Sequence, residues 1–213
     1  MLLQLNKAHW PVTTLGFGRR VGIWLQGCSI ACPKCCSRDM WPSSGGATIS
    51  VSDLVDWCES SAGDQLDGIT ISGGEPFEQA EELLALVAEL GALRQNAANE
   101  IDLLCYSGMP WRRLQKDYPE ILRQLDAIIP EPFVVKLDSA ALRGSTNQPL
   151  LALSDLGRRR YATGTTAPRK HLQIEVSDRN VWIVGIPQKG DLERIEQHCL
   201  ANGLDLGQVS WRS

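Results

Sequence analysis

Along the first half of the chain, short apolar runs alternate with longer amphipathic segments. Val21-Gly22-Ile23-Trp24-Leu25 and the β-branched Gly68-Ile69-Thr70-Ile71-Ser72 have the composition of buried strands. Between them, Ser50-Val51-Ser52-Asp53 reads as a helix start, after which Leu54, Val55 and Cys58 share one helical face. Pro76 suits the first turn of a following helix, where its missing N–H costs nothing. Leu83, Leu86, Val87, Leu90 and Leu93 then recur at helical spacing, while Glu81, Glu82 and Glu89 fall mostly elsewhere. The alternation continues with a strand over Ile101–Cys105, helical segments over Trp111–Leu125 broken near Pro119, and a strand over Phe133–Leu137. Strands alternating with helices imply parallel pairing through right-handed crossovers, with ligand sites at the carboxyl ends of the strands.

After Pro149 the pattern changes. Residues 154–170 are rich in Arg, Gly and Thr and read as a loop or linker. His171–Val176 and Asn180–Ile186 alternate as a hairpin around Ser177-Asp178-Arg179, and Asp191–Leu200 reads as a final helix. The expected organisation is a core over residues 1–150, with a linker and C-terminal extension over 151–213 packed on or beside it.

Composition narrows the class. The 213 residues suit one domain with a substantial core, and 43% hydrophobic against 22% charged residues describes a globular protein. A net charge of −4 argues against a broad nucleic-acid surface, and the basic runs Arg19-Arg20, Arg112-Arg113, Arg158-Arg159-Arg160 and Arg169-Lys170 read as solvated faces. The first residues, Met1-Leu2-Leu3-Gln4-Leu5-Asn6-Lys7, lack the basic and apolar segments of a signal peptide, and no apolar run approaches the ~20 residues of a membrane span. The expected location is cytoplasmic, where clustered cysteines signal metal or redox work rather than disulfides. Cys58, Cys105 and Cys199 are scattered among apolar neighbours and read as small buried hydrophobes; Trp24, Trp41, Trp57, Trp111, Trp182 and Trp211 read as core or interface aromatics.

Chemistry concentrates in Gly27-Cys28-Ser29-Ile30-Ala31-Cys32-Pro33-Lys34-Cys35. Cysteines at i, i+4 and i+7 supply three thiolates, one short of the set that saturates a cubane cluster or a structural zinc. Such a site leaves one metal position open. A structural zinc stands as the alternative, with Cys36 as fourth ligand. Adjacent residues of an extended chain point to opposite sides, however, and His9, His171 and His198 sit at no finger-like spacing. The second motif, Gly73-Gly74-Glu75-Pro76, follows a strand and opens a helix. Its glycines let the backbone approach a ligand closely, the helix start favours a carboxylate, and Glu75 can attract an ammonium group. Together these suit the zwitterionic end of an amino acid.

With both motifs in place, the chain resembles the radical S-adenosylmethionine (SAM) superfamily, marked by Cys-x3-Cys-x2-Cys and Gly-Gly-Glu-Pro. Within it, the chain is similar to the small activating enzymes of anaerobic, class III ribonucleotide reductase. Gly16-Phe17-Gly18-Arg19-Arg20, Trp24-Leu25-Gln26-Gly27-Cys28, Ile71–Pro76, Tyr106-Ser107-Gly108 and Arg143-Gly144-Ser145-Thr146-Asn147-Gln148 carry the likeness, over residues 16 to 150.

The resemblance implies an α/β fold: an incomplete, open (β/α) barrel with a short C-terminal β-hairpin and helix extension. It implies a [4Fe-4S] cluster on Cys28, Cys32 and Cys35, whose fourth iron is chelated by the amino and carboxylate groups of SAM. Gly73, Gly74 and Glu75 would hold the methionine end, Lys34 and Cys36 would line the adenosyl side, and Ser107 and Asn147 would complete the cofactor-binding set. For Arg143 and Asn147, organising their own loop is the other reading. One-electron cleavage of SAM would give a 5′-deoxyadenosyl radical that abstracts hydrogen from a protein partner, a glycyl-radical enzyme, with flavodoxin or ferredoxin as electron donor. The alternatives are radical modification of a peptide or small molecule, and a non-enzymatic zinc or iron–sulfur interaction module.

Overall fold

A computed structural model describes residues 1–161, 171–177 and 180–212. The apolar runs become the parallel centre of a seven-stranded sheet ordered β3-β1-β2-β4-β5-β6-β7. β2 (Arg20–Leu25), β4 (Gly68–Gly73), β5 (Asp102–Tyr106) and β6 (Ala127–Ile129) pair in parallel. β1 (Leu2–Val12) lies antiparallel to β2 and to the edge strand β3 (Ala47–Ser50), and β7 (Leu151–Ala152) is antiparallel to β6. The architecture is therefore a mixed α/β sheet with a mostly parallel centre.

Side-chain alternation divides the sheet into two unlike faces. Val21, Ile23, Leu25, Ile69, Ile71, Leu103, Cys105 and Ile128 form one core with α1 (Val51–Ala62) and α2 (Ala80–Gln95). Ser50 caps α1 by accepting from Asp53 N–H at 3.0 Å, as the sequence predicts. Leu83, Leu86, Val87 and Leu90 form the buried stripe of α2, which follows a 3₁₀ turn over Pro76–Gln79. The other face carries Arg20, Trp24, Thr70, Ser72, Asp102, Leu104 and Tyr106, and no helix of the βαβ units covers it. Over its Trp24 end lies the hairpin of β8 (Leu172–Ser177) and β9 (Asn180–Gly185). Val184 and Trp182 pack there with Val12, Leu15, Trp24 and Met40. Gln173 anchors β8 by donating to Pro11 O at 2.7 Å. The chain closes with α6 (Asp191–Ala201) and the segment 202–212.

Several expectations are corrected. Phe133–Leu137 is not a strand: Val134 and Leu137 close a turn (N–H to O, 3.0 Å), and Val134, Val135 and Leu137 are exposed. Pro130 and Pro132, just before this stretch, have no N–H of their own, and Val134 N–H is taken by Ser145 Oγ at 3.0 Å instead of a neighbouring strand. The strand of this unit is Ala127–Ile129, whose three residues are too short to show a period. The break near Pro119 is real, separating α3 (Trp111–Asp117) from α4 (Pro119–Leu122). Residues 155–161, read as linker, form α5 (Asp155–Tyr161), started by the Ser154 hydroxyl accepting from Gly157 N–H at 3.0 Å; residues 162–170 lie outside the described ones. Cys58 and Cys105 are buried as expected, whereas Cys199 is half-exposed. The turn residues Asp178 and Arg179 also lie outside the described residues.

The basic runs are not all solvated. Arg20 is fully buried on the open face and forks onto both oxygens of Asp102 at 2.8 and 2.9 Å, while its Nε donates to Thr70 Oγ1 at 2.6 Å. Arg160 and Tyr161 of α5 reach the same carboxylate, Tyr161 Oη donating at 2.7 Å. Arg160 also donates to Asp67 O and Glu100 O. No described helix is long and apolar enough to cross a membrane.

Candidate functional site

The site assembles where four parallel strands end. β2 runs into the cysteine loop, β4 into Gly73-Gly74-Glu75, β5 into Ser107-Gly108, and β6 into the segment 130–148. The cysteine loop is closed at its base by Gly27 N–H to Met40 O at 2.8 Å and Cys28 N–H to Trp41 O at 3.0 Å. Inside it, Ala31 (φ 48°) and Lys34 (φ 64°) take left-handed backbone conformations, each immediately before a cysteine. Two such reversals curl the loop, so that Cys28, Cys32 and Cys35 stay on one short turn of chain, all reduced and half-buried.

The glycine motif is clasped to that loop by backbone alone. Gly74 N–H donates to Leu25 O at 2.8 Å and Glu75 N–H to Gly27 O at 2.7 Å. A Cβ on Gly74 would lie 2.1 Å from Gly27 O, and one on Gly73 (φ 113°) 2.3 Å from Leu25 N. Only glycine permits this approach. Gly108 makes a similar contact, its missing Cβ position lying 2.8 Å from Ile30 Cδ1 of the cysteine loop.

Glu75 is fully buried and turned into the protein. Its Oε1 accepts from Phe77 N–H at 3.1 Å and Ser107 Oγ–H at 2.9 Å; Oε2 accepts from Gly108 N–H at 2.7 Å. The side chain thus ties the loop after β4 to the loop after β5. Burial pushes its carboxyl up to about 7, against which these donors act. Ser107 is spent on this tie and on accepting from Met109 N–H at 3.0 Å.

The thiols differ in setting. Burial raises Cys28 and Cys32; the backbone N–H groups of Ala31 and Ile30 oppose it at Cys28, and that of Phe133 at Cys32. Ser37 N–H donates to Cys35 Sγ at 3.4 Å. Such N–H···S donors favour the thiolate, the form that binds metal. Cys36 is pushed up to about 11 by burial and by its neighbour Cys35, and its Sγ lies 3.8 Å from Ser37 Oγ. Among the described residues, no three His, Cys, Asp or Glu side chains gather as one mononuclear ion requires. A cubane takes one thiolate per iron, so its ligands surround the centre instead of meeting at a point. The donor set of three thiols with converging N–H groups fits that cluster.

The remaining candidates separate. Lys34 is exposed, and no side-chain partner holds it among the described residues. Asn147 donates from Nδ2 to Pro132 O at 2.9 Å, and its Oδ1 is buried without a hydrogen-bond partner among the described residues. Arg143 donates to Ala141 O at 3.3 Å and Gln148 O at 3.4 Å, organising its own loop.

Beside the cysteine loop, a cavity of about 990 Å³ opens on the sheet face opposite α1 and α2. Trp24, Ser72 and Tyr106 form its floor, Cys36 and Met40 one side, and the hairpin and the segment 204–212 the other. Ser210 Oγ donates to Cys36 O at 2.6 Å and pins that segment to the cysteine loop. Sequence reasoning missed this wall, because its residues carry no motif.

Comparison with known proteins gives three relevant likenesses. A family model described as "4Fe-4S single cluster domain" matches residues 14–151. The anaerobic ribonucleoside-triphosphate reductase-activating proteins of Enterobacteria phage T4 and Haemophilus influenzae are 27% identical over 143 residues and 26% over 152. Each alignment spans 66% of this chain, with 88% and 92% of the relatives. The pyruvate formate-lyase 1-activating enzyme of Escherichia coli K12 is 37% identical over 76 residues, 32% of this chain and 29% of that enzyme.

Proposed function

The chain belongs to the 4Fe-4S single cluster domain family, and on that premise we propose that it is a radical SAM activating enzyme whose substrate is a protein of the glycyl-radical class. Cys28, Cys32 and Cys35 hold the [4Fe-4S] cluster. When bound, the cluster and SAM together supply a 5′-deoxyadenosyl radical by one-electron cleavage of the C5′–S bond. Everything else is positioning by the chain itself.

The observation that carries this reading is the backbone clasp. Gly74 and Glu75 are hydrogen-bonded directly to Leu25 and Gly27, so a ligand lying along Gly73-Gly74-Glu75 lies against the cysteine loop. Glu75 works from beneath, holding Ser107 and Gly108 in register with that backbone. The buried Oδ1 of Asn147 offers an acceptor to the cofactor's N–H or O–H groups. Trp24, Met40 and Tyr106 give the adjoining cavity an apolar floor and side next to the cysteine loop. Cys36 lines the cavity as a protonated thiol, outside the ligand set. The relatives named for activating a reductase and a lyase support a protein as substrate. Flavodoxin or ferredoxin supplies the electron.

Anaerobic reconstitution with iron and sulfide, reduction with dithionite and addition of SAM tests the reading. The expected product is 5′-deoxyadenosine, lost in Cys32→Ala. A reduced, cluster-loaded protein that forms none, and whose cluster EPR signal is indifferent to SAM, would overturn it.

A further inference from the structure

The wall of the cavity has an unusual make-up. Every residue of β9 from Asn180 to Gly185 lines it, and the chain continues along it through Pro187. A strand that presented one face would contribute alternate residues, because successive side chains point to opposite sides. Consecutive lining means that β9 presents its edge. Among the described residues that edge is unpaired, since β9 pairs there with β8 alone. Ile186 N–H donates to His171 O at 3.0 Å, which marks residue 186 as a position bonded toward β8. Antiparallel ladders alternate, so Val181, Ile183 and Gly185 turn their N–H and C=O groups away from β8, toward the cavity. An edge of this kind is a template for one more strand.

Two cationic groups stand over the same space. Lys7 Nζ lies 4.3 Å from the Trp182 ring and has no ion-pair partner among the described residues. Arg38 likewise makes no ion pair there, and its Nε is buried without an acceptor. Arg212 is engaged by Glu196. Asp39 and Asp205 also border the cavity but are exposed, so water screens them. The unmet need for an acceptor is at Arg38 Nε, and Lys7 adds positive charge to the same cavity lining. The volume, about 990 Å³, sits at the upper end of small-ligand pockets and admits a stretch of extended chain.

We propose that β9 and the segment 204–212 make this cavity a peptide site. An extended, acidic stretch of the protein substrate adds as a strand to the free edge of β9 and places a carboxylate on Arg38 and Lys7. This rests on the reading that the substrate is a protein. It assigns the hairpin to substrate selection, apart from the cofactor loops.

The test uses the full, reconstituted chain and fluorescein-labelled capped octapeptides, read by anisotropy. An alternating Glu-Val peptide is expected to bind, with its Gln-Val and Lys-Val counterparts at least tenfold weaker. N-methylation of alternate residues in one register should cost about tenfold or more, and in the other register little, because a single edge engages only every second amide. Arg38→Gln combined with Lys7→Met should erase the preference for Glu over Gln. Equal loss in both methylated registers, no loss in either, or no binding of any peptide would overturn the proposal. Measuring 5′-deoxyadenosine on the same preparation separates the two claims. Peptide binding without SAM cleavage counts against the activating function alone, and cleavage without register-dependent binding counts against the peptide site alone.

Discussion

Cys35 and Cys36 are neighbours in sequence but differ in role. Cys35 receives Ser37 N–H on its sulfur within the cysteine loop, whereas Cys36 is half-buried and lines the cavity. Cys28→Ala, Cys32→Ala and Cys35→Ala should each lose the cluster, while Cys36→Ala keeps it, as iron and sulfide analysis of the reconstituted proteins will show; equal loss in all four would refute the assignment. Glu75 gives a pH signature. Its carboxyl titrates near 7 in the fold against an ordinary 4.5, so the folded state holds the proton more tightly than the unfolded state. Ionising it in place therefore costs stability progressively from about pH 4.5 to 7, and the cost is constant above. Glu75→Gln cannot ionise, but it turns an amide donor toward one of the donors Glu75 now satisfies. The variant should be less stable than the wild type at pH 5, with the deficit narrowing by pH 8 in thermal melts. A deficit that does not change with pH would show that the Glu75 carboxyl does not titrate in that window.

At the scale of elements, function depends on loops held by backbone contacts that side chains would break. Gly74→Ala places a Cβ 2.1 Å from Gly27 O, with backbone on both sides and no flexible group to yield. The expected cost is about 1–3 kcal/mol of stability. Because the strain falls between the cysteine loop and the glycine motif, SAM-dependent perturbation of the cluster EPR signal should weaken more than the iron content. A variant with unaltered SAM response would show that the clasp is not what positions the cofactor. Gly91→Ala, at a helical position with nothing within 4 Å of the added Cβ, serves as the control.

For the whole molecule, the sheet face opposite α1 and α2 divides its labour along the strands. At the amino ends, Arg20, Thr70 and Asp102 form a fully buried polar network that α5 covers with Arg160 and Tyr161; at the carboxyl ends lies the cavity. Burial alone would raise the Asp102 carboxyl, but the Arg20 charge and the hydrogen bonds from Arg20, Tyr161 and Arg160 hold it below its ordinary 3.8. The stability it contributes is thus present above that value and is lost as pH falls through its lower folded value. Asp102→Asn leaves Arg20 buried and uncompensated, at an expected cost of about 3–5 kcal/mol in urea unfolding at neutral pH. A cost below about 1 kcal/mol would mean that the Arg20 guanidinium regains solvation in the variant instead of staying buried and uncompensated.

The sequence by itself determined the local features: the buried strand runs Val21–Leu25 and Gly68–Ser72, the capped helix at Ser50, the broken helix at Pro119, the hairpin, and the two motifs at strand ends. Each rests on spacing within a few residues, where apolar period, glycine and proline act directly on the backbone. Only the tertiary structure decided what lies across the sheet. Leu2–Val12 became a long antiparallel strand by pairing on both sides, although it carries no strong period of its own. Arg20, in a run read as solvated, became a buried ion-pair partner of a residue 82 positions away. Glu75, read as a ligand for an ammonium group, spends its carboxylate on two loop amides and a serine hydroxyl. The edge of β9 faces the cavity only because Trp182 and Val184 anchor the hairpin over Trp24. Long-range pairing, burial and edge exposure depend on which segments meet, and a linear pattern of polar and apolar residues does not encode that meeting residue by residue.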